Sequence, residues 1–183
     1  DPNNPVAMCD TVLPAACAAM GGFFSAGLDC TTPCPDIALG SDCTAPITAT
    51  LPADLDYVDG NFTCGRGNNY DNSDPNAPNC LGSYAGGEDA IYEFTVTESI
   101  CIDILLVSNA GEGWIGLGID TVCPLGSPCL YAFGSSSAPG MLIEGLVVPA
   151  GTYYAQVDTW PSPDCLTNYS LYITASDACP EGA

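Results

Sequence analysis

From about Ile47 the period of the apolar residues changes to two, segment after segment, and this constrains the fold more than any other feature. "AIYEFTV" sets Tyr92, Phe94 and Val96 on one face, and "ICIDILLV" does the same for Ile100, Ile102, Ile104 and Leu106. "WIGLGI" aligns Ile115, Leu117 and Ile119; "MLIEGLVV" and "TYYAQVD" follow, and "NYSLYITA" aligns Tyr169, Leu171 and Ile173. Turn-forming stretches such as "SNAGEG", "GSSSAPG" and "PAGT" separate them. Short strands at this spacing predict an all-β antiparallel sandwich or barrel, each sheet with one packed and one wetter face.

Residues 1–45 have a different character. They hold Cys9, Cys17, Cys30, Cys34 and Cys43, and "LPAACAAMGG" (Leu13 to Gly22) reads as a short helix. Pro14 suits its first position, the alanines propagate it, and Gly21 can take the left-handed cap, with Cys17 facing inward. So small a module buries little surface and needs disulfides. The expected organisation is a Cys-rich module or arm at 1–45, a sandwich at 46–176 and a tail at 177–183. Preceding the module, "DPNNPVAM" reads as an extended arm whose Val6 and Met8 can add to a neighbour's sheet edge, or as a frayed end pinned at Cys9.

The remaining cysteines are Cys64, Cys80, Cys101, Cys123, Cys129, Cys165 and Cys179, twelve in all with no histidine. No CxxC pair offers a zinc site, so six disulfides in an oxidising compartment are expected. Twelve cysteines allow on the order of ten thousand pairings; the local Cys123–Cys129 and Cys64–Cys80 are the two we expect. With its first residue Asp1, the chain reads as a mature, exported protein. No apolar run reaches the ~20 residues of a membrane span.

Twenty-two acids face one base, Arg66, for a formal charge of −21. Nucleic acid is excluded as a partner because phosphate binding needs clustered Lys and Arg. Anionic membrane surfaces fit no better. The carboxylates repel one another, and divalent cations relieve that repulsion. Calcium is therefore the expected cofactor, if any. In "DLDYVDGN" the side chains of Asp54, Asp56, Asp59 and Asn61 offer hard oxygen ligands, and Asp71, Asp74, Glu88 and Asp89 complete a site if the connection folds back. The plainer reading is an acidic loop in which Asp and Asn cap turns. That connection, residues 54–89, is long for a compact domain and needs an anchor.

Three aromatics stand apart as candidate sugar-stacking residues: Trp114, Tyr154 and Trp160. The ordinary alternative is burial in the core. Asn61 and Asn168 begin the two N-glycosylation triplets.

Three stretches together resemble the bacterial pre-peptidase C-terminal domain type: "LPADLDYVDGNFTCGRGNNYDN…CLGSYAGGEDAIYEFTVTES", "GWIGLGIDTVCP…C" and "AGTYYAQVDTWPSPDC…YSLYI". The resemblance spans about residues 47–175. It is most specific at Gly87-Glu88-Asp89, Ala150 to Tyr154 and Asp158-Thr159-Trp160, while "CAAMGGFFSAGLDC" is similar to a short Cys-rich motif found beside such domains. It implies a jelly-roll-like β-sandwich in a secreted bacterial protein. In the family this domain usually accompanies an exported enzyme and is linked to secretion, substrate or surface binding, and adhesion; within these 183 residues we expect no catalytic domain beside it.

Catalysis has few routes. Without His or Lys there is no Ser-His-Asp, Cys-His or Schiff-base chemistry, and paired cysteines leave no thiolate. Only a carboxylate pair drawn from Asp54, Asp56, Asp59, Glu88, Asp89 and Asp158 remains. We therefore expect no enzyme. The sequence favours an extracellular structural protein, a self-assembling subunit of a filament, sheath or surface layer whose partner is itself. The alternative is a secreted module binding polysaccharide or a cell surface.

Overall fold

The structure, a computed structural model, describes residues 39–52, 55–71, 79–136, 140–160 and 164–177. The expected helix at 13–22 and the N-terminal arm lie outside the described residues. So do Cys9, Cys17, Cys30, Cys34, Cys179, Asp54 and Asp74. The chain divides into two compact units, Asp1–Asp36 and Ile37–Ala183.

The second unit is an all-β sandwich of nine described strands: β1 (Ile47–Leu51), β2 (Tyr57–Asn61), β3 (Ala90–Val96), β4 (Ile100–Ser108), β5 (Ile115–Asp120), β6 (Tyr131–Ser135), β7 (Gly140–Val148), β8 (Gly151–Thr159) and β9 (Tyr169–Ala175). A five-stranded sheet has the order β1-β3-β8-β5-β6, and a four-stranded sheet the order β2-β9-β4-β7. Only the β5–β6 connection stays within one sheet; every other connection crosses between layers, as in a jelly roll. One pair departs from the antiparallel rule. β1 runs parallel to β3, because β2 crosses to the other layer between them and the chain returns in its original direction.

The period-two pattern decides which side chains meet between the sheets. Tyr92, Phe94 and Val96, Ile102, Ile104 and Leu106, Ile115, Leu117 and Ile119, and Tyr169, Leu171 and Ile173 all lie in the buried core. Each large apolar side chain so buried contributes about 1.5–3 kcal/mol. Asp103, the charge that interrupts "ICIDILLV", points outward. It accepts the Gly145 N–H at 2.8 Å across a bulge between β4 and β7. Gly145 has φ +67°, a conformation glycine adopts without a Cβ clash.

The disulfides correct both expected pairings. Cys64 joins Cys165, Cys80 joins Cys129, and Cys43 joins Cys123. Cys101 is also disulfide-bonded. Nearness in sequence misleads here because the sheets bring distant segments side by side. Residues 62–66 run beside 164–166, with the Thr63 N–H donating to the Leu166 carbonyl at 2.9 Å and the Leu166 N–H to Thr63 Oγ1 at 2.8 Å. That pairing places Cys64 opposite Cys165, 4.9 Å apart at Cα.

Candidate interaction surfaces

The outer face of the five-stranded sheet is roofed. β8 points Tyr153, Ala155 and Val157 into the core, so Gln156 and Asp158 point out, yet both are fully buried. The connection between β2 and β3 covers them. Gln156 Nε2 donates to Asp89 Oδ1 at 2.6 Å and to Asp158 Oδ2 at 2.9 Å, and its Oε1 accepts from Asn79 Nδ2 at 2.7 Å. Gly87, Glu88 and Asp89 fasten the roof. The Gly87 N–H donates to Asp158 Oδ1 at 3.1 Å, and a Cβ at Gly87 would collide with Thr159 Oγ1. Glu88 accepts the N–H groups of Gly65 and Gly67; Asp89 accepts those of Asn69 and Tyr70. Burial, and then the charge of Asp89, push Asp158 up to about 10; burial also raises Asp89. Two carboxyls this close and this dry share a proton rather than both ionise.

Of the acids named from the sequence, Asp89 and Asp158 are brought together, buried under the roof and bridged by Gln156, and the others are dispersed. Asp59 accepts the Tyr92 hydroxyl at 2.7 Å and Asn61 Nδ2 at 2.9 Å, at the edge of a Tyr92–Tyr169 hydroxyl pair; burial raises both tyrosines. Asp56 is exposed and Asp71 half-buried. Among the described residues no group of three or more His, Cys, Asp or Glu converges as a metal cluster. Arg66 is buried, donating to the carbonyls of Phe62 and Leu39 and to Asn61 Oδ1, with its guanidinium over the Phe62 ring. It clamps the start of the roof.

Asn61 is 7 % exposed and its amide nitrogen donates to Asp59 Oδ2 at 2.9 Å. Asn168 is half-buried and accepts from Asn109 Nδ2 at 2.9 Å. The three aromatics do not gather as one site. Tyr154 and Trp160 lie six residues apart along one strand direction, roughly 20 Å. Tyr154 is tied instead to Glu93, whose hydrogen bond raises its pKa. Trp114 and Trp160 do meet, with ring centroids 5.7 Å apart.

The outer face of the four-stranded sheet carries what the strand pattern concealed. The register pairs Val58 with Tyr172, Tyr172 with Leu105, and Leu105 with Leu142. These four residues form one row across all four strands, about 14 Å long. Val58 is 58 % exposed and Leu142 56 %, with Tyr172 and Leu105 half-buried. The signal in the sequence was "ILLV": Leu105 and Val107 occupy outward positions where alternation calls for polar residues. Asp103 and Glu144 are the acids of the β4 and β7 segments and lie to one side of the row.

No protein family model matches the sequence. No curated protein matches it either. Among solved structures it is similar to the pre-peptidase C-terminal domain of collagenase from Bacillus anthracis, the domain type its motifs resemble. That match has 14 % identity and a TM-score of 0.45, covering 70 % of this chain and 94 % of that one.

Proposed function

We propose that the chain is a non-enzymatic extracellular structural protein whose copies associate through the outer face of the four-stranded sheet. The observation that carries this reading is the row Val58–Tyr172–Leu105–Leu142, open to solvent on an otherwise acidic chain. Contiguous exposed apolar residues mark interaction surfaces. Copies that each carry a formal charge of −21 repel wherever carboxylates meet, so contact is favoured at a charge-poor face. Two such faces can stack about 10 Å apart, as sheets do inside a sandwich. The disulfides fit an oxidising, extracellular setting.

Dissolved cations would help by screening the facing charge, calcium more than sodium. Negative-stain electron microscopy with calcium, and then with chelator, tests this. Paired or polymerised particles support the reading, and their dissolution on chelation would add calcium as the bridge. Dispersed single particles in both conditions would refute it.

A further inference from the structure

A second surface, on the other sheet, carries a different chemistry. Trp114 immediately precedes β5 and Trp160 immediately follows β8. The β5–β8 register pairs Ile115 with Thr159, so the two indoles stand opposite each other just past the paired ends. The Trp160 N–H donates to the Trp114 carbonyl at 2.9 Å, which fixes both backbones. Tyr84 packs behind Trp114, centroids 6.3 Å apart and planes 29° apart. Its side chain lies on Gly116 and Gly134, where any Cβ would strike it. The tryptophan planes are tilted by 47°, and the residues are 42 % and 39 % exposed.

Two features set this cluster apart from ordinary packing. Both indoles remain open to water although they touch each other. Trp114 also holds φ +62°; among the described non-glycine residues only Asp56 shares that region. Asp tolerates it through its short polar side chain, whereas a bulky residue is strained there. Such strain persists where the surroundings enforce it, and it clusters at ligand sites.

We infer that Trp114 and Trp160, backed by Tyr84, form a stacking site for a neutral saccharide chain. The two indoles, 42 % and 39 % exposed, leave apolar ring surface open to the C–H groups of a ring-sized ligand. Beside them lie the Ser136 carbonyl, next to Gly113, and Glu112, whose carboxylate accepts from Ser108 and Thr167. The formal charge of −21 repels anionic glycans and leaves uncharged ones unaffected. This inference is independent of the self-association reading, since the two surfaces lie on different sheets.

Titration calorimetry of the full chain with cellohexaose, chitohexaose and an alginate hexasaccharide tests it. At least one neutral hexasaccharide should bind, and the alginate should not. Trp114→Gly suits the left-handed backbone, so it should keep or raise the melting temperature while weakening binding by about tenfold. Trp160→Ala should also weaken binding. Leu105→Asp, on the opposite sheet, should leave binding unchanged. Absence of binding by both neutral sugars would overturn the inference. So would Trp114→Gly binding as wild type does, or alginate binding as tightly as the neutral chains.

Discussion

The two outer faces of this sandwich start from the same strand pattern and end differently. On the five-stranded sheet the outward positions of β8 are Gln156 and Asp158, polar as alternation predicts, yet they are fully buried under a connection that starts beyond β2. On the four-stranded sheet the outward positions include Val58, Leu105, Tyr172 and Leu142, apolar against the pattern, and they face solvent. Burial on an outer face thus follows what is laid over it more than residue type. Polar groups can be sealed if every donor and acceptor is met, and apolar ones can be left open where another surface is to cover them.

The largest effect is expected from the roof's covalent fastening. Cys64→Ala with Cys165→Ala opens a link spanning 101 residues and should cost about 4–5 kcal/mol, read as a lower denaturant midpoint. A thiol assay on denatured, unreduced protein should find almost no free cysteine. Next comes the polar seal. Gln156→Leu strands Asp89, Asp158 and Asn79 without their shared partner and should cost about 3 kcal/mol. A loss below 1 kcal/mol would mean that water already reaches under the roof.

The same seal predicts a pH dependence. The folded chain holds a proton on the Asp89–Asp158 pair that the unfolded chain releases near pH 4. The stability this proton brings is full below pH 4 and is lost as pH rises toward about 10. Melting temperature should therefore fall between pH 5 and pH 9, and Asp158→Asn, which mimics the protonated form, should flatten that slope. The smallest effect on stability belongs to the open face. Leu105→Asp, at a half-buried position between Tyr172 and Leu142, should cost about 1 kcal/mol while disrupting association.

These contrasts also mark how far the sequence was legible. The strands and their inward residues followed from the period of two, because Tyr92, Ile104 and Leu171 have no other way to leave water. The disulfide partners did not follow. Cys64 meets Cys165 only because Thr63 and Leu166 are zipped together across the fold, a contact no local spacing encodes. The acids were visible but their use was not. Glu88 and Asp89 each accept two backbone N–H groups of the roof, a use that residue type and spacing alone do not announce. The apolar row was half-visible in "ILLV". Its extension to Val58 and Leu142 required the register of four strands that are distant in the chain.

The most direct test of the self-association claim is sedimentation velocity of wild type beside Leu105→Asp, over a range of protein concentrations in calcium-containing buffer. We expect wild type to form concentration-dependent larger species and the variant to sediment as a folded monomer whose melting temperature is lowered by no more than a few degrees. A wild-type monomer at every concentration, or a variant that associates as wild type does, would contradict the account.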